Sequence, residues 1–392
     1  MPDGLANKRY KADSNKKVKI RKRSTQSIDY TLLFVIILLL LFGLVMVFSS
    51  SYYYTLTRAK FGNDMYYFLK RQAIWATIGL MGMTVFATAD RWFDYKSLRK
   101  WSFIAYILSI VFLILVLFIG EEVNGSKRWL YLGPINFQPS ELAKYTVILY
   151  LSNFIVSHKG ILNSLKGFIE CAIVLIIPVV LVLVENMSTA VVIAAIGAAI
   201  LFVASPKIWY FIVGGVGALG GVAAALFLPQ FAYRLDRIKY MIDPFSDPTG
   251  KGFQVIQSLY AVASGGVFGL GLGQSRQKTY VPEPYNDIIF AIICEELGMV
   301  GAAILILLFI VLVWRGIKIA MNAQDLYGCL VAVGLVALIG VQVIINIAVA
   351  TNTFPNTGMQ LPFISYGGSG LVFTLCGMGI LLNISKHQRV KK

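Results

Sequence analysis

The sequence predicts an all-α, polytopic integral membrane protein with ten transmembrane helices. Hydrophobic residues make up 57% of the 392 residues, charged residues only 14%, and the mean hydropathy is +0.72. A soluble fold does not bury that much apolar surface, so most of it must face lipid or neighbouring helices. The chain also contains a series of apolar runs of about 20 residues, the length that a helix needs to cross hydrocarbon. Basic residues concentrate at both ends of the chain and in short connections, as in cytoplasmic segments.

Ten candidate spans follow one another along the chain. They cover residues 30–50, 72–90, 101–120, 141–157, 167–185, 188–205, 208–228, 287–313, 327–350 and 364–384. The first span is too long for the apolar core of a signal peptide, and no small-x-small cleavage site follows it. We therefore predict a single ten-helix membrane domain over 30–385, between a basic and disordered tail at 1–29 and a second basic tail at 386–392.

Basic residues orient the spans. Nine Lys or Arg residues lie between Lys8 and Arg23, directly before the first span. With this tail inside, ten spans return the C-terminus to the same side, and 22 of the 35 basic residues are cytoplasmic. The net charge of +16 therefore reflects membrane topology, with anionic lipid as a partner for the N-terminal tail, and not a nucleic-acid-binding domain.

Three patterns that suggest cofactor sites are weak. The four cysteines fall inside apolar runs without metal-ligand or disulfide spacing, and the two histidines lie in short basic segments. The glycines of residues 264–273 follow no predicted strand and precede no Gly-Lys-Ser, so we interpret them as positions of tight turns or close helix approach rather than nucleotide binding.

Two external connections are long, residues 120–140 and 229–286. The second is far longer than a connection requires, which marks it as functional or independently folded. It carries six basic and four acidic residues, and Lys127 and Arg128 add positive charge to the first. Either these charges are simply solvated, or they bind an anionic ligand on the outer face.

A helix start is predicted within Phe137-Gln-Pro-Ser-Glu-Leu-Ala-Lys144. Pro139 suits the first helical position, and Glu141 lies in the first turn, where the helix dipole favours a carboxylate. Glu141 and Lys144 are three residues apart, hence on one face and able to pair. The pair either only starts the helix, or lines a cavity in which the Lys144 ammonium meets a phosphate.

Asp287 ends the segment Val281-Pro-Glu-Pro-Tyr-Asn-Asp287 and lies where the long loop re-enters the membrane. A carboxylate there is costly unless it is capped, paired or used. Asn286 or Asp287 could cap the eighth span. Glu295 and Glu296 lie about 12–14 Å deeper, and Glu296 is on the opposite side of the helix from Asp287. We therefore expect the two glutamates to pair internally or to shape a polar cavity.

Several motifs together resemble the SEDS family, which comprises the FtsW, RodA and SpoVE proteins of bacterial cell-wall synthesis. The likeness covers nearly the whole chain from the first span onward, and the Ser-Arg-Gln-Lys run is most similar to FtsW and SpoVE. The motifs are Phe137-Gln-Pro-Ser-Glu-Leu-Ala-Lys144, Gln257-Ser258, Ser264-Gly-Gly266, Gly271-Leu-Gly-Gln-Ser-Arg-Gln-Lys278, Pro282-Glu283, Asp287-Ile-Ile-Phe-Ala291, Glu295-Glu-Leu-Gly298 and Leu361-Pro-Phe-Ile-Ser-Tyr-Gly-Gly-Ser369.

The resemblance implies an inverting glycosyltransferase that polymerises lipid II into β-1,4 glycan strands at the outer face of the cytoplasmic membrane. Asp287 matches the family's catalytic carboxylate. The usual preceding His-Thr is Tyr285-Asn286 here, and the Asp of a Pro-Asp-Leu-Gly-Thr motif corresponds to Asn186, so we expect no essential carboxylate there. The implied substrate-binding residues are Glu141, Lys144, Lys127, Arg128, Gln257, Ser258, Arg276, Lys278 and Glu283. The implied cavity residues are Glu295, Glu296, Pro362, Ser365 and Tyr366.

The chemistry asks for one base and for cations. Inversion at the anomeric carbon needs a single positioned carboxylate to activate the acceptor hydroxyl. The departing diphosphate gathers negative charge, which Lys144, Arg128 and the loop cations, or a divalent ion (Mg²⁺ or Mn²⁺), would stabilise. The implied partner is a class B penicillin-binding protein, a transpeptidase, with other division proteins at the septum. Alternatives are a lipid II flippase, a non-catalytic scaffold, and a RodA-like or SpoVE-like role in elongation or sporulation.

Overall fold

Long α-helices dominate the chain. The structure is a computed structural model that describes residues 27–88, 94–123, 126–132, 135–212, 214–215, 232–250 and 252–388. The helices of the first half are α1 (Tyr30–Leu56), α2 (Tyr67–Thr88), α3 (Tyr95–Ile119), α4 (Pro139–Ser157), α5 (Leu165–Glu185) and α6 (Met187–Ala204). Those of the second half are α7 (Ala232–Ile242), α8 (Phe253–Ser264), α9 (Ile289–Met321), α10 (Leu326–Ala350) and α11 (Gly368–Lys386).

Seven of the described helices, α1, α3, α5, α6, α9, α10 and α11, are long and apolar enough to cross a membrane. Helices α2 and α4 coincide with the predicted spans 72–90 and 141–157 but fall short of that hydropathy; α4 carries Glu141 and Lys144 within its first six residues. The predicted span 208–228 lies largely outside the described residues. The count of ten spans therefore stays a prediction.

The all-α expectation needs one correction, because residues 121–137 form a small antiparallel sheet. Its strands are β1 (Glu121–Val123), β2 (Ser126–Leu132) and β3 (Ile135–Phe137), in the order β1-β2-β3. The second half of Ser-Lys-Arg-Trp-Leu-Tyr-Leu is rich in aromatic and aliphatic residues, several of which favour strands, but the segment does not alternate polar and apolar residues. The sheet positions Lys127 and Arg128 and leads directly into α4.

The helical core lies around α10 and α11, which have the largest buried shares among the seven candidate spans. Helix α11 packs closely along α2, where small residues allow the backbones to approach. A Cβ atom on Gly379 would lie 2.6 Å from the carbonyl oxygen of Met83, and one on Gly79 would lie 2.5 Å from the Leu375 side chain.

Helix α9 is broken at Gly298, which has φ 65° and ψ −168°. The break frees the carbonyls of Glu295 and Glu296, which accept the backbone N–H groups of Leu270 and Gly271 at 2.9 and 3.0 Å. A Cβ atom on Gly269 would lie 2.2 Å from the Glu296 carbonyl oxygen. The glycine-rich segment 264–273 thus packs against the break, as the close-approach interpretation predicts.

Candidate functional site

Asp287 directly precedes Ile288, the N-cap residue of α9, and no described side chain caps this helix start. Neither Asn286 nor Asp287 therefore occupies the capping position that the sequence left open. The acid lies beside the C-terminal end of α10, since the Asn346 side chain donates 2.7 Å hydrogen bonds to the carbonyl oxygens of both Asp287 and Met359.

The backbone around Asp287 is held by the segment that joins α10 to α11. Ser365 Oγ donates to the Asn286 carbonyl at 2.6 Å, and the Tyr366 N–H donates to the Tyr285 carbonyl at 2.9 Å. The same serine hydroxyl accepts the Leu361 N–H at 2.8 Å. These contacts fix the position of the acid through its main-chain neighbours.

The Asp287 carboxylate is half-buried. Burial raises its pKa from 3.8 to about 6, with the nearby Glu283 adding to the rise and a hydrogen bond from the Gln254 side chain opposing it. A carboxyl group with this pKa is about nine-tenths ionised at pH 7 and is a stronger base than an ordinary aspartate. It meets the protonation requirement of a general base near neutral pH.

Tyr285, where the family resemblance implies a histidine, is a packing residue. Its ring centroid lies 4.0 Å from that of Phe68, 5.6 Å from that of Tyr54 and 5.8 Å from that of Tyr366. These rings form a wall that ties α1 and α2 to the segment before α9.

Glu141 and Lys144 form the ion pair that their spacing predicts, at 2.7 Å. Lys144 is 1% exposed, so its ammonium lies beneath the carboxylate rather than on the surface. Glu141 borders a small cavity, of about 20 Å³, whose other polar lining residues include Gln342, Gln360, Ser365 and Thr374. Pro362 lines the same cavity.

Ser365 connects this cavity to Asp287, because it lines the cavity and holds the Asn286 carbonyl. Gly370 keeps the space open: a Cβ atom there would lie 3.3 Å from Gln360 Oε1 and 3.4 Å from Glu141 Oε2. The structure thus brings Asp287, Glu141, Lys144, Pro362, Ser365 and Tyr366 to one end of the bundle.

Lys127 and Arg128 contact the end of α5. The Lys127 N–H donates to Glu185 Oε2 at 2.8 Å, and Arg128 Nε donates to the Glu185 carbonyl at 2.9 Å. Both residues line a second small cavity, of about 20 Å³, with Ser140 at the start of α4. The neighbouring Asn186 caps α6 by accepting the Thr189 N–H, which gives this amide a structural role in place of the usual carboxylate.

Lys278 differs most from expectation, since it is 3% exposed and does not face solvent. Its ammonium lies 2.9 Å from Glu296 Oε1 and donates to the carbonyls of Gly273 and Ser49 at 2.6 and 3.0 Å. A buried carboxylate without a counter-ion is costly, so the lysine is more stabilising in the pair than in solvent. The sequence pattern did not show that the loop folds back onto the two glutamates.

Glu295 and Glu296 are fully buried and bind the loop rather than one another. Glu295 accepts the Ser275 hydroxyl and the N–H groups of Arg276 and Gln277, at 3.0 and 3.3 Å for the latter two. Glu296 also accepts the Ser49 hydroxyl of α1. Glu296 is thus paired internally with Lys278, and both glutamates anchor the loop.

The remaining predicted residues lie on the loop. Ser258 is buried and donates to the Ala350 carbonyl at 2.9 Å, which joins α8 to α10. Gln257 is half-buried, whereas Arg276 and Glu283 are exposed. Glu283 accepts a 2.6 Å hydrogen bond from the Asn286 amide.

Three site residues were missed from the sequence: Asn346, Gln254 and Gln360. Asn346 and the cavity residue Gln342 interrupt the apolar run of α10, and a polar residue inside a span is the signal that marks them. Gln254 and Gln360 carry no comparable signal. Among the described residues, no group of three or more His, Cys, Asp or Glu side chains converges to hold a metal ion.

Comparisons with known proteins agree with the sequence motifs. Residues 30–390 match the family model of FtsW, RodA and SpoVE, described as cell cycle proteins. Stage V sporulation protein E of Bacillus subtilis (strain 168) is 42% identical over 333 residues, which cover 83% of this chain and 89% of that protein. A probable peptidoglycan glycosyltransferase FtsW of Trichlorobacter lovleyi is 40% identical over 362 residues, which cover 91% and 93%.

Two solved structures share the fold. A chain of a structure described as the structural coordination of polymerization and crosslinking by a peptidoglycan synthase complex superposes with a TM-score of 0.75 at 28% identity, covering 92% of this chain and 98% of that one. The rod shape determining protein RodA of Thermus thermophilus superposes with a TM-score of 0.66 at 25% identity, covering 93% and 99%. The resemblance is confirmed: this chain is a multi-pass membrane protein with a RodA-like fold, and it belongs to the FtsW/RodA/SpoVE family.

Proposed function

We propose that the protein is a peptidoglycan glycosyltransferase that polymerises lipid II at the outer face of the bacterial cytoplasmic membrane. The observation that carries this proposal is Asp287, a carboxylate with a pKa of about 6 at the mouth of a bundle of apolar helices. Relatives named as probable peptidoglycan glycosyltransferases, 40% identical over most of the chain, support it.

In the proposed reaction the Asp287 carboxylate accepts the proton of the 4-hydroxyl of one lipid-linked disaccharide. The hydroxyl oxygen attacks the anomeric carbon of the other, and the bond from that carbon to the diphosphate breaks with the electron pair leaving on the diphosphate. The anomeric carbon inverts in one step. The substrate's polyprenyl tails stay in lipid, which is why the site lies at the end of a membrane bundle.

Protein cations would stabilise the leaving diphosphate. Lys144, buried under Glu141, would raise the potential of the cavity, and Arg128 and the exposed Arg276 would meet the phosphates from the sheet and the loop. Lys278 is paired with Glu296, so we do not include it among the cations that stabilise the diphosphate. The described side chains do not offer a preformed divalent-ion site, so we propose no step through Mg²⁺ or Mn²⁺.

We further propose septal cell-wall synthesis with a class B penicillin-binding protein as the crosslinking partner. The likeness to a chain of a complex that coordinates polymerization and crosslinking supports the partner. Identities of 42% to SpoVE and 40% to FtsW support division and sporulation alike. Depletion that yields filaments supports septal synthesis, whereas depletion that blocks only spore formation or only elongation refutes it.

Asp287→Asn tests the catalytic assignment in purified protein with its transpeptidase partner and lipid II. The amide keeps the size of the side chain but cannot accept the proton, so we expect polymerisation to fall about 10²–10⁴-fold with folding and lipid II binding retained. Asp243→Asn is the matched control, because Asp243 is an exposed loop carboxylate whose side chain makes no capping bond.

Glycan synthesis by Asp287→Asn at a rate near that of the wild type would refute the base assignment. A wild-type protein that moves lipid II across vesicles but makes no glycan in any partner combination would instead establish a flippase. Buried ion pairs such as Glu141–Lys144 are the observation that keeps transport as the second candidate.

A further inference from the structure

A large polar cavity opens at the end of the bundle away from Asp287. Its volume is about 580 Å³, and its lining comes from the start of α3, the end of α4 and the start of α10: Lys96, Arg99, Lys100, Asn153, Val156, Asp325 and Tyr327. Helix α10 runs from Tyr327 at this cavity to Asn346 beside Asp287, a rise of about 28 Å. The cavity is therefore separate from the proposed catalytic site.

The lining is cationic, with three basic side chains against one carboxylate. That carboxylate, Asp325, accepts the Tyr95 hydroxyl and the Gly328 N–H, each at 2.7 Å, and lies 3.9 Å from the Lys96 ammonium. The carboxylate thus already has two hydrogen-bond donors and a nearby cation of its own. Lys100 is exposed and takes part in none of the hydrogen bonds or ion pairs among the described residues.

Arg99 is held in place with donors to spare. Its Nε donates to Asn153 Oδ1 at 2.8 Å, and one terminal nitrogen donates to the Ser157 hydroxyl at 3.1 Å. A guanidinium carries five N–H donors, so several remain for a ligand in the cavity. Because Asn153 and Ser157 already fix the Arg99 side chain, its remaining N–H groups are preorganised to bind a phosphate.

Tyr327 supplies an independent observation. The residue is 2% exposed, lines the cavity, and its hydroxyl has no hydrogen-bond partner among the described residues. A buried hydroxyl without a partner is costly, and native structures rarely tolerate it without a ligand or water. Here the phenol can donate to an anionic oxygen that the neighbouring cations attract.

We propose that this cavity binds a phosphate group, presented as the headgroup of an anionic phospholipid. The space is far larger than a bare ion needs, and Trp101, next to Lys100, is 65% exposed, as a residue at the membrane–water interface is. With the predicted cytoplasmic N-terminus, the cavity faces the inner leaflet, whose lipids are anionic. The site is independent of the polymerase activity.

Lipid retention by the full-length protein tests the site. The protein is purified, incubated with vesicles of phosphatidylcholine alone or of phosphatidylcholine and phosphatidylglycerol, and the lipids that stay bound are counted by native mass spectrometry. We expect selective retention of phosphatidylglycerol. Tyr327→Phe and Lys100→Gln should each weaken it by roughly tenfold to 150-fold, the loss of one hydrogen bond to a charged group.

Lys318→Gln is the matched control, since Lys318 is a basic residue on the same side by the predicted topology and contacts the Trp314 ring, outside the cavity. Equal retention by Tyr327→Phe, Lys100→Gln and Lys318→Gln, or no preference for phosphatidylglycerol, overturns the proposal. Competition by inorganic phosphate that removes the retained lipid supports a phosphate-specific site. Failure of phosphate to compete, with the two variants still impaired, supports recognition of the whole headgroup.

Discussion

Replacing Lys278 by methionine tests how strongly the buried Lys278–Glu296 ion pair holds the loop before α9 to the helices. The Lys278 and Glu296 side chains are 2% and 0% exposed, and their charged atoms lie 2.9 Å apart. Methionine fills much of the same volume but removes a cation that has three oxygen acceptors within 3.0 Å. Glu296 would keep the Ser49 hydroxyl and would otherwise be a buried charge without its counter-ion.

Breaking a buried pair by removing one partner costs about 3–5 kcal/mol of unfolding free energy. Because Ser49 still stabilises the carboxylate, we expect Lys278→Met to lose about 3 kcal/mol of unfolding free energy, the lower end of this range. The pair of Lys70 and Asp64 is the control: its atoms lie 2.8 Å apart, but its side chains are 64% and 34% exposed. Such an exposed pair contributes about 0–1 kcal/mol, so Lys70→Met should change the unfolding free energy very little.

The assay is thermal unfolding of both variants in one detergent, followed by size-exclusion chromatography. A double variant, Lys278→Met with Glu296→Gln, removes the stranded charge and should regain part of the lost stability, since coupled residues are not additive. Equal melting temperatures for Lys278→Met and Lys70→Met would refute the anchoring role. If the double variant loses more unfolding free energy than the two single variants lose together, hydrogen bonds, and not charge, hold the loop.

Three further predictions concern the site and the helix break. Polymerisation should fall as the pH drops below about 6, because the pKa of Asp287 is raised to that value and protonation removes the base; a flat pH–rate profile down to the ordinary aspartate range would contradict this. Gly298→Ala should destabilise the fold strongly, since its Cβ would lie 2.3 Å from the Gly269 nitrogen at positive φ, whereas Gly266→Ala, with φ +55° and open space, should cost only about 1 kcal/mol; similar melting temperatures would contradict it. Glu141→Ala should harm folding yield and activity more than Glu141→Gln, because it strands the buried Lys144 ammonium; unchanged yield and rate in Lys144→Ala would reduce the pair to a helix start.

Local chemistry in the sequence predicted much of the helical framework and the Glu141–Lys144 pair. The apolar run predicted the start of α10 to within one residue. Pro139, predicted to occupy the first helical position, is the first residue of α4. The strands near Lys127 were missed because three short strands have too few residues for a period-2 pattern to stand out beside long apolar helices.

The position of Lys278 could not be predicted for a different reason. Its burial depends on the loop folding back onto Glu295 and Glu296. Lys278 and Glu296 are 18 residues apart in the sequence and lie in different elements, so no local pattern predicts their contact. The break at Gly298 that permits this contact is encoded by one glycine in an apolar run, and a glycine there is equally compatible with an unbroken helix. Motif resemblance located Asp287, but only the fold shows that Asn346 and Ser365 hold its backbone.

The broken helix has a consequence for how the protein enters the membrane. The first part of α9 carries two carboxylates, each of which makes insertion of an isolated helix unfavourable by several kcal/mol. The groups that stabilise them, Lys278, Ser275 and the amides of the preceding loop, are synthesised earlier, and in the predicted topology this loop is exported to the far side of the bilayer. With that topology, we expect stable insertion of this half-helix to wait until the loop has crossed the membrane and folded against α1, so that biogenesis of the second half of the protein depends on translocation of the loop.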